Sequence, residues 1–266
     1  MKPLIALVTG ASSGIGQATA LALHAEGYTV YGAARRLDHM KVLEEAGIRT
    51  VQLDVINNES ITKALSAIGR VDVLINNAGY GSYGAIEDVP LSEARRQMDV
   101  NVFGLARLCQ LVIPGMRRRH LGTIVNISSI GGKFGEPFGG WYHATKYAVE
   151  GLSDSLRLEL KPFGIKVIVI EPGLIKTEWA TIAAENLLKS SGDGAYHELA
   201  QKHVGTMRRY STNRLASSPD VVAQGIVKVL KKSNPKYRYA IGGGAKPILA
   251  LRKVTGDRLF YKLLSL

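Results

Sequence analysis

The chain has 266 residues, 46% hydrophobic and 21% charged, with a formal net charge of +12. The whole excess lies at the end: residues 1–200 carry 20 basic and 20 acidic side chains, while residues 201–266 carry 14 basic ones against Asp220 and Asp257. No run of about 18 apolar residues is present to span a bilayer, and the lack of a basic-aromatic motif puts nucleic acid last among partners for the basic end.

Residues 4–9 read as a strand, too short an apolar run for a signal-peptide core. They lead into Thr-Gly-Ala-Ser-Ser-Gly-Ile-Gly at 9–16, and helical spacing follows over 14–26. Gly10, Gly14 and Gly16 fall where the chain must turn tightly and bring its amides against a ligand. The helix start presents unpaired N–H groups and a partial positive charge to a pyrophosphate, with Ser12 and Ser13 adding hydroxyl donors. A second strand at 29–33 leads into Ala34, Arg35 and Arg36. An NAD site would place an acidic residue about 20 residues past the turn; Ala34 leaves that place without one, and the Arg35 guanidinium, with Arg36 beside it, suits a 2′-phosphate. NADP(H) is therefore the expected cofactor.

Further strands are predicted at 49–53, 71–76, 122–127, 166–171 and 238–241, with helices at 38–46, 60–67, 92–120, 142–161 and 219–232. Continuous apolar runs at 73–75 and 167–170 imply burial on both faces. The alternation predicts an α/β fold: a Rossmann-type doubly wound parallel sheet of about seven strands with helices on both faces, a single domain over 1–266. Cys109, the lone cysteine, sits between Leu108 and Leu111 and reads as a small buried apolar residue; a chain without an intrachain disulfide fits a reducing, cytoplasmic compartment.

Tyr142 and Lys146 are four residues apart and share one face of the predicted helix, so the ammonium is expected near the phenol, lowering its pKa from ~10 by roughly one to three units. His143 points off that face, and the six histidines show no metal-ligand spacing, so no metal is expected. Phe134, Pro137, Phe138 and Trp141 precede Tyr142 closely enough that several should border an apolar substrate. Residues 174–218, with Trp179, Tyr196, Met207 and Tyr210, read as a substrate-covering insertion. Residues 245–266 form a basic amphipathic tail suited to a neighbouring subunit, the substrate cleft or an anionic membrane surface.

Taken in order from Thr9 to Thr177, these motifs resemble the short-chain dehydrogenase/reductase family. The turn ending at Ile15 and Gly16 resembles its cofactor motif. Asp54 and Val55 match its adenine-contacting pair, and Asn76, Asn77, Ala78 and Gly79 its sheet-stabilising and ribose-lining motif. Asn101 matches its helix asparagine, and Ser129, thirteen residues before Tyr142, its catalytic serine. Pro172, Gly173, Ile175 and Thr177 fall in its nicotinamide-side turn. More narrowly, residues 80–85 and 141–146 resemble the branch with 17β-hydroxysteroid and retinol dehydrogenases and acyl-dihydroxyacetone-phosphate reductases.

The resemblance implies hydride transfer between NADP(H) and an apolar alcohol or carbonyl compound. Tyr142 would be the proton donor, Ser129 would polarise the carbonyl, Lys146 would tune Tyr142 and hold the ribose, and Asn101 would place Lys146 through a water. It also implies a homodimer or homotetramer built on the long helices. A 3-oxoacyl thioester reductase and a non-catalytic NADPH-sensing or scaffold protein are the alternatives.

Overall fold

A computed structural model describes residues 3–212 and 215–264, the side chains of 210–212 and 264 excepted. Tyr210 of the expected insertion and the last residues of the expected tail thus lie outside the described side chains. Seven strands, β1 (Ile5–Thr9), β2 (Thr29–Ala34), β3 (Arg49–Gln52), β4 (Val73–Asn76), β5 (Gly122–Ile127), β6 (Ile165–Pro172) and β7 (Arg238–Ile241), form one parallel sheet in the order β3-β2-β1-β4-β5-β6-β7. The chain winds outward from β1 to β3, then restarts at β4 on the other side of β1. The carboxyl ends of β1 and β4 thereby border the crevice where a doubly wound sheet binds ligands.

Alternation along each strand divides the core in two. Ala6, Val8, Val73, Ile75, Ile168 and Ile170 point to one face, where they meet Leu23 of α1 (Gly14–Ala25) and Ile226 of α9 (Pro219–Leu230). Leu7, Leu74 and Val167 point to the other, against Leu108 of α5 (Gly104–Arg119) and Val149 of α6 (Gly140–Leu160). The β-branched runs occupy strands covered on both sides, which is why they read as continuously apolar.

Between β2 and β3 the helix predicted at 38–46 is a single 3-10 turn at Leu37–Met40 followed by α2 (Lys41–Glu45). Between β3 and β4, α3 (Asn58–Ile68) starts two residues before the predicted helix because the Asn57 side chain caps it, accepting the Ser60 N–H at 2.9 Å. The helix expected over 92–120 is α4 (Leu91–Met98) continuing into α5 through a π-helical turn at Asp99–Phe103. Such a widened turn re-aims side chains, here Asn101.

Residues 174–218, the expected substrate-covering insertion, are largely helical. They hold two packed helices, α7 (Trp179–Ser191) and α8 (His197–Thr212), joined through Ala183, Ala184, Leu187, Ala200 and Val204. Small inward residues and the lack of a side-chain cap at Glu178 had concealed the helical signal. The tail is α10 (Ala245–Leu264), kinked at Gly256. It folds back on its own chain: Phe260, 2% exposed, packs edge-on against Phe134 at 5.2 Å. Leu251, Val254, Leu259 and Leu263 stay exposed. Among the described residues no helix is long and apolar enough to cross a membrane.

Candidate active site

A cavity of about 660 Å³ opens at the carboxyl ends of the strands, running from Arg35 past Gly10 and Asn77 to Ser129, Tyr142 and the inner face of α7 and α8. One end is made of backbone. Gly10 has φ +64 and Gly14 φ +54, left-handed values that side chains other than glycine resist. A Cβ on Gly16 would stand 2.2 Å from the Gly10 carbonyl oxygen, so α1 can approach the turn only without one. Asn77 locks the turn to β4: its Nδ2 donates to Thr9 O at 2.9 Å and Gly10 O at 3.2 Å, while its N–H donates to Thr9 Oγ1 at 3.0 Å. One strand deeper, Asn76 donates to Asn126 Oδ1 at 2.9 Å and to Cys109 Sγ at 3.3 Å. Burial pushes the Cys109 thiol up to about 12, which keeps it inert.

Of the residues predicted to hold a cofactor, Gly10, Ser12, Ser13, Gly14, Ile15, Arg35, Asp54, Val55, Asn77, Ala78, Gly79, Tyr142, Lys146, Pro172, Gly173, Ile175 and Thr177 all line this cavity. Gly16 lies just behind the wall. Arg36 is the exception. It is exposed, does not line the cavity and begins the 3-10 turn after β2. Arg96 and Glu93 of α4, not foreseen from sequence, complete the rim beside Tyr80, whose hydroxyl donates to Glu93 Oε1 at 2.8 Å.

The residues fit a dinucleotide. The glycine cradle leaves room that any Cβ would fill, the turn ends on a helix start, and the end of β2 carries a guanidinium where a ribose-binding carboxylate would otherwise stand. Among the described residues no three His, Cys, Asp or Glu side chains converge as metal ligands.

The middle of the cavity holds Ser129, Tyr142 and Lys146, three of the four residues predicted to be catalytic. Ser129, two residues past β5, caps the 3-10 turn at Ile130–Gly132, where its Oγ accepts the Gly131 N–H at 3.0 Å. Tyr142 and Lys146, both 8% exposed, project from the first turns of α6. Lys146 Nζ lies 5.8 Å from the Tyr142 ring centre and donates to Ile127 O at 2.9 Å. Asn101 sits behind them, out of the cavity. Its Nδ2 donates to Tyr80 O at 2.9 Å and Thr145 Oγ1 at 3.1 Å, and Thr145 Oγ1 in turn donates to Tyr142 O at 2.7 Å.

The electrostatics correct one expectation. Spacing had placed the Lys146 ammonium so as to make Tyr142 acidic, yet burial pushes the phenol up to about 12, with the Ser129 bond opposing and Glu136 adding to the rise. Burial also brings Lys146 down to about 8, against the pull of Glu150 one helical turn on. Desolvation is the largest cause for both groups. Burial therefore favours the protonated phenol.

The other end of the cavity is built from side chains far apart in sequence. Trp179 of α7 packs 5.0 Å from the Tyr142 ring and 5.6 Å from Tyr83, and reaches there because Gly81 offers no Cβ, which would stand 2.6 Å from its indole. Phe134 and Met207 also line the wall. Phe138, held at φ 65, packs edge-on against Tyr196 and His203, and it, Pro137 and Trp141 do not line the cavity, so of the four residues expected to border a substrate only Phe134 does. His143 is buried, its ring seated between Gly131 and Gly139.

Comparison with known proteins agrees with this geometry. The family described as short chain dehydrogenase matches residues 4–187. A 3-ketodihydrosphingosine reductase of Bacteroides thetaiotaomicron is 38% identical over 259 residues, covering 95% of this chain and 93% of its own. Human retinol dehydrogenase 8 is 34% identical, covering 97% and 88%. The closed form of a serine dehydrogenase complexed with NADP+ superposes with a TM-score of 0.77 at 28% identity, over 88% of this chain and 93% of its own. The chain belongs to the short-chain dehydrogenase family and is an oxidoreductase of that family.

Proposed function

We propose that the protein is an NADP(H)-dependent reductase of apolar ketones or aldehydes, using Tyr142 as the proton donor. The observation that carries this reading is the convergence of Ser129, Tyr142 and Lys146 on the wall of one cavity whose far end presents Arg35 beside a glycine cradle. The bound dinucleotide would be held by the turn at Gly10–Gly16, by Arg35, and by Asp54, Val55, Asn77 and Lys146, and would supply the hydride.

The protein's own part is proton supply and alignment. Charge developing on the carbonyl oxygen meets two hydroxyl donors, Ser129 and Tyr142, in a site that Trp179 and Phe134 keep dry. Burial raises the Tyr142 pKa, so the phenol can enter a reductive cycle as an acid. Asn101 donates to the Thr145 hydroxyl, which in turn donates to Tyr142 O on α6, between the two catalytic side chains. The aromatic wall favours an apolar substrate, in keeping with relatives named for 3-ketodihydrosphingosine and retinol. For cofactor choice, the NADP+ complex of the related serine dehydrogenase points the same way as Arg35. On the outer faces of the long helices, Phe103 and Leu158, 59% and 72% exposed, are the surfaces we assign to subunit contacts of a homodimer or homotetramer.

Steady-state reduction of long-chain ketones with each nicotinamide tests the reading. NADPH is expected to be favoured, and Arg35→Ala to erase roughly ten- to a hundredfold of that preference, the worth of one charge-assisted contact. No reduction across a broad carbonyl panel, or an NADH preference that persists in Arg35→Ala, would overturn it.

A further inference from the structure

Behind the wall of the cavity lies a cluster of charges that proton delivery by Tyr142 leaves unused. Its hub is Glu150 of α6, buried one helical turn beyond Lys146 on the same helix face and outside the cavity lining. Glu150 Oε2 accepts from Lys133 Nζ at 2.6 Å and from Arg238 Nε at 2.8 Å. Lys133 Nζ also lies 3.3 Å from Oε1 of buried Glu171 near the end of β6, and Arg238 of β7 donates to Asp154 Oδ2 at 2.6 Å. Burial, with Glu150 adding to it, pushes the Glu171 carboxyl up.

The cluster joins the elements that carry the reacting groups. Lys133 follows the 3-10 turn that Ser129 caps, Glu150 continues the helix of Tyr142 and Lys146, and Glu171 precedes Pro172 and Gly173 of the cofactor wall. Turn and helix are pressed together: a Cβ on Gly132 would stand 3.1 Å from Glu150 Cγ and 3.1 Å from Lys146 O. Packed apolar side chains would serve stability as well as buried ion pairs do, so charge is what this cluster supplies.

That charge reaches Lys146. Burial lowers the Lys146 pKa, and Glu150 opposes the fall. Glu150 Oε1 is buried with no hydrogen-bond partner, so Lys133 and Arg238 do not meet the whole of its negative charge. The groups that face Lys146 otherwise are neutral: the Tyr142 ring on α6, Ile127 O on β5, and Asn101 from the π-helical turn at Thr145. Lys133 from the Ser129 turn, Glu171 from β6 and Arg238 from β7 are the other charges of the cluster around Glu150.

We infer that Glu150 is a positioning residue for the reaction: through Lys133 it holds the Ser129 turn against α6, and its carboxylate keeps the Lys146 side chain cationic. It acts through Lys146 and so rests on the reductase reading.

The test is single-turnover reduction of a long-chain ketone by NADPH across the pH range, in the parent, in Glu150→Gln and in Lys133→Met, with a thermal melt to establish folding. The parent rate is expected to fall by half near pH 8 as Lys146 loses its charge. Without the carboxylate charge the ammonium is harder to keep, so the midpoint in E150Q should move down by roughly one pH unit; without the cation that competes for Glu150, the midpoint in K133M should move up by roughly half a unit. A merely structural role would lower the rate at every pH and leave the midpoint in place. A midpoint unmoved in either variant, or moved the same way in both, overturns the inference while the reductase reading stands; no reduction by the parent overturns both. Should E150Q not fold, K133M decides alone, because Arg238 still pairs with Glu150 there, and a midpoint that stays or moves down overturns the inference.

Discussion

The two ends of the cavity are built on different principles. At the dinucleotide end, backbone forms the surface: glycines with left-handed φ, a helix start, and an asparagine tying the turn to the next strand. At the substrate end, side chains from β5, α6, α7 and α8 meet across long sequence separations, and only packing holds them. The first end tolerates almost no change at a few positions; the second should tolerate many changes and convert each into altered substrate choice.

The sharpest break should come at Gly16. A side chain there collides with the Gly10 carbonyl and pushes α1 off the turn. Charge-assisted hydrogen bonds contribute about 1.5–3 kcal/mol each, so loss of two in Gly16→Val should weaken NADPH binding by roughly two to four orders of magnitude. Fluorescence titration checks this, with a thermal melt to establish that the variant folds. Ordinary NADPH affinity would show that the turn does not bear on the cofactor.

Trp179→Ala probes the opposite end and should leave NADPH affinity alone. It removes the ring that covers Tyr83 and Tyr142, so KM for an apolar ketone should rise roughly tenfold. A change in cofactor affinity and none in KM would show that the two ends are not separable.

The smallest effect is one of pH, and it acts where the ends meet. Tyr142 keeps its proton until about pH 12, whereas Lys146, its pKa lowered by burial from 10.5 to about 8, loses its charge as pH rises through that value. The rate of reduction should therefore be level below about pH 7 and fall by about half near pH 8, as read from single-turnover hydride transfer. A rate that rises through this window would mean that the phenol must ionise first.

The same contrast explains what the sequence disclosed. The sheet was legible because β-branched runs buried on both faces have no other reading, and the dinucleotide end because its chemistry is compressed into local motifs: Gly10, Gly14 and Gly16 in one turn, Asn77 at one strand end, Tyr142 and Lys146 on one helix face. Glu136, His203 and Arg96 were missed because nothing near them in sequence marks them; the fold brings them to the cavity. A faint signal existed in the glycines at 81, 131 and 139, which mark where Trp179 and His143 pack closely. The direction of the Tyr142 shift was misread for a related reason. Helix spacing reveals that a lysine is near, but not how deeply both groups are buried, and burial decided the sign.

The central claim is that Tyr142 delivers the proton, and Tyr142→Phe tests it most directly. The ring is kept and only the hydroxyl removed, so single-turnover reduction of a long-chain ketone by the NADPH-loaded variant should fall by roughly 10²–10⁴-fold, with NADPH affinity within about twofold of the parent. Reduction at near-parental rates, with NADPH bound as tightly, would contradict the account.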